Sequence, residues 1–175
     1  MFLRLLSWVI LALAMSRCYG CLEAERLALM QFKASINHPN GTSLPEWKDD
    51  NTTDCCDWHG VECGYAPGRV ISLELYNTRQ AELGDWCLNV SLFLPFESLT
   101  YLNLQSNQLV ICTDDEGVEN QLSELKNLSR LDLSFNNLDT RILSSVNGLT
   151  ALTLLDLFNN SLKGSIDLKG MILIV

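Results

Sequence analysis

The chain has 175 residues, 47% of them hydrophobic, and carries 21 acidic against 12 basic residues, a formal net charge of −9. This length suffices for one domain with a hydrophobic core. The acidic balance, without basic clusters, argues against a nucleic-acid-binding protein and against binding to anionic membrane surfaces.

The first twenty residues are predicted to be a secretory signal peptide. Arg4 precedes a largely apolar run at 5–15, and small residues at Cys18 and Gly20 precede the expected cleavage site before Cys21. Eleven residues are too few to cross a bilayer, which takes about 20; the alternative is a buried N-terminal helix. Cleavage would leave 10 basic and 21 acidic residues, a net charge of −11.

Cysteines and glycosylation sequons agree with a secreted, extracellular chain. An even number of cysteines in such a chain predicts disulfide bonds. After cleavage the six cysteines are Cys21, Cys55, Cys56, Cys63, Cys87 and Cys112. Five N-x-S/T sequons predict a glycoprotein. Their asparagines are Asn40, Asn51, Asn89, Asn127 and Asn159.

Residues 21–68 are predicted to form a cap on the part of the chain that follows. The stretch "CLEAERLALMQFKASI" is typical of a helix in which Leu22, Leu29, Phe32 and Ile36 share one broad apolar face. The turn residues of "HPNGT" end this helix.

A metal site is the rival interpretation for four residues of the cap, His38, Cys56, His59 and Cys63. Their spacing does not match a zinc finger, and an oxidising compartment disfavours thiolate ligands. We therefore predict no metal and no cofactor, and we interpret His59 as a turn residue of the cap.

A pattern of leucines and one asparagine recurs along the rest of the chain. Its clear copies begin at Leu99, Leu128 and Leu152 and contain Asn107, Asn136 and Asn160; a weaker copy at Val70 has Thr78 at the asparagine position. The copies start 29 and 24 residues apart, and self-similarity at such a period indicates a solenoid.

Each copy is predicted to be a short strand followed by a turn. Leucines separated by one residue, such as Leu131 and Leu133, lie on one face of a strand. An asparagine amide carries donors and acceptors for the buried backbone groups at the turn, so Asn107, Asn136 and Asn160 should stack into a ladder. Thr78 can replace an asparagine only in part, so the first coil should be less regular.

The solvent-facing strand residues form a concave surface that is the candidate ligand-binding face. Parallel strands stack about 4.8 Å apart, so equivalent residues form columns. The first column is Glu74, Asn103, Asp132 and Asp156; the second is Tyr76, Gln105, Ser134 and Phe158; the third is Asn77, Ser106, Phe135 and Asn159.

Two features of these columns are candidates for binding. The acidic first column could receive basic groups of a peptide or protein, unless its aspartates are solvated or bonded locally. Tyr76, Phe135 and Phe158 are better candidates because aromatic residues carry much of the energy at interfaces, although they could instead pack at coil edges. A glycan on Asn159 would obstruct this face, so either that sequon is unused or ligands bind elsewhere.

No catalytic residue is predicted. The sequence contains no nucleophile elbow, phosphate-binding glycine loop or metal-binding helix motif. Asp132 and Asp156 could imitate the carboxylate pair of a glycosidase, but they sit on a flat column with no pocket that would raise a pKa.

The motifs resemble those of the leucine-rich repeat family in its plant extracellular type. The pattern L-x-x-L-x-x-L-x-L-x-x-N-x-L-x-G-x-I is complete in residues 149–166, and "CCDWHGVEC" resembles the family's N-terminal cap. Asp167 stands where the family usually has proline, and the middle copies lack the Gly-x-Ile ending.

This resemblance implies an α/β, right-handed leucine-rich-repeat solenoid with a helical, disulfide-bonded cap. The implied segments are a signal peptide (1–20), the cap (21–68), about four repeats (69–166) and a short apolar tail (167–175).

The resemblance also implies two disulfides, Cys21–Cys55 and Cys56–Cys63. In the chain-entropy model, closing the first loop contributes roughly 3–4 kcal/mol. Whether Cys87 and Cys112 pair across the irregular first coils is left open.

Function follows from the same resemblance. Receptor-like proteins of this family bind a peptide or protein ligand on the repeats and signal with a receptor kinase co-receptor in defence or development. The chain would be the extracellular (apoplastic) N-terminal piece of such a protein, whose full-length relatives are anchored in the plasma membrane. Its five closing apolar residues cannot form a transmembrane segment. The alternatives are a secreted inhibitor of cell-wall-degrading enzymes, similar to polygalacturonase-inhibiting proteins, and a non-functional truncated product.

Overall fold

The computed structural model describes residues 20–50, 53–65, 68–87, 89–112, 122–163 and 172–174. The predicted signal peptide, the Asn51 sequon and the Gly-x-Ile ending at 164–166 lie outside the described residues.

Two helices and eight strands make up the regular structure of the described residues. Helix α1 spans Glu23–Ile36 and helix α2 spans Ile142–Val146. The strands are β1 (Val61–Cys63), β2 (Val70–Glu74), β3 (Trp86–Cys87), β4 (Tyr101–Asn103), β5 (Leu109–Val110), β6 (Arg130–Asp132), β7 (Leu154–Asp156) and β8 (Ile172–Ile174).

One parallel sheet runs through all the coils, as the repeat predicts. Its order is β1-β2-β4-β6-β7-β8, with β1 antiparallel to β2 and every other pair parallel. Strands β3 and β5 form a separate parallel pair. The predicted α/β solenoid is confirmed. Strand β8 was not predicted, since its residues were assigned to an apolar tail.

The repeated leucines form the core. Leu73, Leu102, Leu131 and Leu155 are in register and at most 1% exposed. The second leucine of each strand motif is buried in the same way, and so are the leucines that precede the strands. Burying a leucine side chain contributes about 1.5–3 kcal/mol, so each coil depends on its neighbours to cover its apolar face.

Asn107 holds the first coil's turn. Its Oδ1 accepts hydrogen bonds from the backbone N–H groups of Thr78 and Arg79, both at 2.9 Å. Its Nδ2 donates to the carbonyl oxygen of Leu75 at 2.7 Å. Asn107 and Leu75 are 0% exposed and Arg79 is 6% exposed, so buried backbone groups of this turn depend on the Asn107 amide.

Asn136 and Asn160 repeat this arrangement one coil at a time. Asn136 accepts from the N–H groups of Asn107 and Leu109, at 2.9 and 3.0 Å, and Asn160 accepts from that of Leu138 at 3.0 Å. Each asparagine also donates to carbonyl oxygens of its own coil and of the preceding one. Each asparagine side chain thus forms hydrogen bonds with backbone groups of the preceding coil.

Helix α1 packs its apolar face against the start of the solenoid. Phe32 is 1% exposed, and its ring lies 6.2 Å from Trp47, 5.5 Å from Trp86 and 6.1 Å from Phe93 between centroids. Leu22, which was expected on this face, precedes the helix and is 42% exposed.

A buried carboxylate ties the helix to the first strand. Glu25 is 0% exposed and accepts from the N–H groups of Leu22 and Val70, at 3.2 and 3.3 Å. The guanidinium of Arg69 donates to it at 2.9 Å, and this bond raises the pKa of Arg69.

A buried guanidinium makes the second tie. Arg79 is 6% exposed and donates to five carbonyl oxygens, two of which, on Ile36 and His38, end helix α1. The other three carbonyl oxygens lie four to six residues after Arg79, on Leu83, Gly84 and Asp85. Burial lowers the pKa of Arg79. The less regular first coil is therefore held by a cation as well as by the ladder.

Three disulfides are present among the described residues. Cys21–Cys55 and Cys56–Cys63 lie in the cap, with Cα–Cα distances of 5.9 and 5.5 Å. Cys87 and Cys112 also pair, at 5.5 Å, and join the ends of β3 and β5. In the described part of the chain, one group has the arrangement of a metal site: Cys21, Asp54 and Cys55. The sulfurs of Cys21 and Cys55 are bonded to each other in a disulfide.

Gly60 of the cap motif is required where β2 passes close to it. It has φ +81°, and its carbonyl oxygen accepts from the N–H group of Glu74 at 2.8 Å. A Cβ atom at this position would overlap the carbonyl oxygen of Glu74. Only glycine meets both conditions.

The first prediction concerns the ladder. Asn107→Leu should lower the free energy of unfolding by about 3 kcal/mol or more, because it leaves the backbone N–H groups of Thr78 and Arg79 without their acceptor. Asn137→Leu is the control, since Asn137 is exposed, and its cost should be within about 0.5 kcal/mol. Equilibrium unfolding in urea, with disulfides intact, measures both. Equal losses would contradict a structural role for the amide.

The second prediction concerns the steric overlap that a Cβ atom at Gly60 would make. Gly60→Ala should cost more stability than Gly84→Ala, by about 1 kcal/mol or more. Both glycines have positive φ, +81° and +66°, but a Cβ at Gly84 meets nothing within 4 Å. Thermal unfolding of the two variants gives the difference. A larger loss for Gly84→Ala would show that backbone strain at Gly84, where φ is +66° and ψ is −161°, outweighs the contact of Gly60 with Glu74.

Candidate functional site

Backbone pairing brings the predicted columns together on one face. The first column is in register through the strands, from Glu74 and Asn103 to Asp132 and Asp156. The second and third columns continue beyond the strand ends. Backbone bonds from Asn77 to Gln105 (2.8 Å), from Ser106 to Ser134 (3.1 Å) and from Phe135 to Phe158 (2.8 Å) hold these residues side by side.

Exposure divides the predicted binding residues into two groups. Tyr76, Phe135 and Phe158 are 51%, 45% and 48% exposed. Glu74 is also exposed, whereas Gln105, Asp132 and Asp156 are half-buried. These seven side chains remain available to a ligand.

Asn103 and Ser134 are buried, so the expectation that they face solvent is wrong. Asn103 is 6% exposed and Ser134 is 2% exposed. Both side chains bond locally: Asn103 Oδ1 accepts from the N–H of Gln105, and the Ser134 hydroxyl donates to Asp132. A column position alone therefore does not decide exposure.

The aspartates of the first column are bonded locally, which was one of the two interpretations of this column. Asp132 Oδ1 accepts from the N–H and hydroxyl groups of Ser134, at 2.9 and 2.6 Å. Asp156 Oδ1 accepts from the N–H of Phe158, and Asn103 Oδ1 from that of Gln105, both at 2.9 Å. The column therefore shapes the ends of the strands as well as giving the face its negative charge.

Phe135 and Phe158 form an exposed aromatic pair. Their ring centroids are 5.4 Å apart and the ring planes meet at 66°, an edge-to-face arrangement. Every residue of the third column has a left-handed backbone, with φ of +51° at Asn77, +57° at Ser106, +53° at Phe135 and +54° at Asn159.

A fourth column was missed by the sequence analysis. It runs one position before each strand leucine and consists of Ser72, Tyr101, Arg130, Leu154 and Ile172. Residues two apart in a strand share a face, so alternation from the first column could have located it.

Tyr101 and Arg130 give this fourth column a polar centre. The Arg130 guanidinium carbon lies 4.4 Å from the centroid of the Tyr101 ring, a cation–π contact. Burial, with the nearby charge of Glu74, raises the pKa of Tyr101, so its hydroxyl stays protonated as a hydrogen-bond donor.

Four of the five sequon asparagines lie within the described residues and are exposed: Asn40, Asn89, Asn127 and Asn159. Asn159 is next to Phe135 in the third column, at the edge of the candidate face. The side chain of Asn127 donates to the carbonyl oxygen of Glu97 at 2.8 Å. Glycosylation remains a prediction at each site.

No helix in the described ranges has the length and apolar character needed to span a membrane.

Two family models match the chain. Residues 22–64 match the leucine rich repeat N-terminal domain, which covers the cap from before α1 to the end of β1. Residues 127–149 match the leucine rich repeat, which covers β6 and α2.

Curated relatives are plant receptors and receptor-like proteins. The chain is 39% identical over 166 residues to putative receptor-like protein 8 of Arabidopsis thaliana, covering 91% of this chain and 16% of the relative. It is 40% identical over 132 residues to Cuscuta receptor 1 of Solanum lycopersicum, covering 72% of this chain and 11% of the relative. The chain thus spans less than a fifth of the length of these two relatives.

A similar solved structure is that of the Arabidopsis receptor kinase HAESA, in complex with the peptide hormone IDA and the co-receptor SERK1. The TM-score is 0.61 at 25% sequence identity, covering 83% of this chain and 23% of that chain. From its cap, its repeats and these relatives, the chain belongs to the leucine-rich repeat family and is similar, over most of its length, to plant receptor-like proteins.

Proposed function

We propose that the chain is an extracellular ligand-binding part of a plant receptor-like protein. It recognises a peptide or protein ligand on the concave face, in defence or developmental signalling, with a receptor kinase co-receptor as partner. The names of the relatives support the receptor role, and HAESA provides a related ectodomain that binds a peptide hormone together with a co-receptor.

The observation that carries the proposal is the backbone conformation of Phe135. A left-handed conformation costs roughly 1–2 kcal/mol for an ordinary L-residue, and asparagine tolerates it best after glycine. The first and last coils of the third column have asparagine at this position, and the second has serine. The turn therefore does not require phenylalanine at 135, and neither does the core, since the ring is 45% exposed. A binding role would account for it.

The surroundings of the aromatic pair suit a peptide. Gln105 offers a donor and an acceptor beside the rings, and Glu74 and Asp132 supply charge along the same face. Tyr101 and Arg130 add a hydroxyl and a guanidinium on the adjacent column. Aromatic residues and arginine are the side chains most often responsible for binding energy at interfaces.

Secretion is supported by the disulfides, which persist in oxidising compartments, and by the exposed sequons. A glycan on Asn159 would narrow access to Phe135, so we propose that this sequon is unused in the ligand-binding form.

The third prediction tests the strain at Phe135. Phe135→Asn and Phe158→Asn both remove the aromatic pair, but only the first places asparagine in a left-handed conformation. The Phe135 variant should be the more stable by about 1 kcal/mol. Urea unfolding of both variants gives this difference directly. Equal stability would mean that Phe135 carries no strain and would remove the main support for the proposal.

The fourth prediction tests binding. A displayed library of random peptides, selected against the secreted, glycosylated chain, should yield binders that lose at least tenfold in affinity for the double variant Phe135→Ser/Phe158→Ser. A tenfold loss corresponds to about 1.4 kcal/mol, which is modest for two aromatic contacts.

The matched control is Leu27→Ser. Leu27 is 48% exposed on helix α1, away from the concave face, so its loss should leave the affinity unchanged. Peptides that bind the double variant as well as the original chain would contradict the proposed site.

A further inference from the structure

A cavity of about 340 Å³ lies where the cap meets the concave face. Ser43, Leu44, Glu46 and His59 line it from the cap, and Tyr76 and Asn77 line it from the first coil. We call it the junction cavity. Its volume is within the range of small-ligand sites, about 300–1,000 Å³, and it opens beside the second and third columns.

Hydrogen bonds fix the cap wall of the junction cavity. The carbonyl oxygen of His59 accepts from the indole N–H of Trp47 at 3.1 Å, and Trp47 is 0% exposed. Ser43 is held through its N–H and carbonyl groups by the side chain of Asn37, at 2.6 and 3.0 Å. A ligand would therefore meet a preformed site and would not have to order it.

Four of the polar side chains that line the cavity are free to bind a ligand, whereas the hydroxyl of Thr78, which also lines it, is bonded to Leu75 and Asn107. Among the described residues, Glu46, His59, Tyr76 and Asn77 make no side-chain hydrogen bond or ion pair, and all four are exposed. Two lining residues, Leu44 and Asn77, have left-handed backbones with φ of +56° and +51°. Leucine is poorly suited to this conformation, and such strain is concentrated at ligand sites.

The chemistry of the lining favours a cation. Glu46 supplies a carboxylate, Tyr76 an aromatic face, and Asn77 and Ser43 oxygen acceptors, while no lysine or arginine lines the cavity. Glu74, the last residue of β2 and two positions before Tyr76 in the chain, adds an exposed negative charge to the first coil. An ammonium or guanidinium group could pair with Glu46 and lie against the Tyr76 ring.

We propose that the junction cavity binds the basic end of the ligand, a lysine or arginine side chain or an N-terminal amine. This inference rests on the proposed function and adds a direction to it: the basic group is at the cap and the apolar part is at Phe135 and Phe158. Two to three strand spacings separate Tyr76 from the aromatic pair, roughly 10–14 Å. An extended peptide covers that distance in about three to four residues.

The test uses arginine amide as the probe and citrulline amide, which has nearly the same shape without the charge, as its control. Calorimetric titration into the folded chain should show saturable binding of arginine amide with a Kd on the order of 1 mM, and none of citrulline amide at the same concentrations. Equal binding of the two amides, or no binding of either, would overturn the inference.

Variants assign the binding to the cavity. Glu46→Gln and Tyr76→Leu should each weaken arginine amide binding about fivefold or more. Glu82→Gln removes an exposed acid of the same coil outside the cavity and should have no effect. An unchanged Kd for Glu46→Gln would overturn the inference, provided that circular dichroism shows each variant folded.

The outcome is separable from the ligand-binding proposal. If arginine amide fails to bind while selected peptides still depend on Phe135 and Phe158, the junction cavity alone is refuted. If the selected peptides also carry a basic residue three to four positions from an apolar one, both proposals are supported.

Discussion

The buried backbone at each turn is the constraint on which this structure depends. When a strand ends and the chain turns through the interior, N–H and carbonyl groups lose water and must find partners. The amides of Asn107, Asn136 and Asn160 provide them and so bond each coil to the next. Together with the parallel strand pairing, these bonds bring Tyr76, Phe135 and Phe158 onto one surface. The candidate site thus depends on side chains buried beneath it.

Much of this fold could be predicted from local pattern. Leucines two apart require a strand, and a period of 24 to 29 residues requires a solenoid, whatever the remaining residues are. The ties between cap and solenoid could not be predicted in this way. Arg79 finds carbonyl oxygens up to 43 residues away in sequence, and Glu25 finds an N–H group 45 residues away. From sequence alone a charged residue is predicted to be exposed, because its distant partners are known only from the fold.

The candidate site was predictable in position but not in accessibility. The repeat placed Glu74, Asn103 and Asp132 in one column correctly, yet Asn103 is covered and Glu74 is open. The side chains around each position made the difference, and these change from coil to coil. The left-handed backbone recurs in every coil, but only the structure shows that Phe135 is the aromatic residue held in it.

The asparagine ladder runs in one direction along the chain, and this matters while the ribosome synthesises the protein. Each asparagine completes the turn of the coil before it, 29 residues earlier for Thr78 and Asn107 and 22 residues earlier for Leu138. A coil leaving the ribosome therefore waits for the next asparagine before its backbone is satisfied. At roughly 5–20 residues per second this delay is on the order of seconds. During it, the newest coil exposes leucines that chaperones can bind.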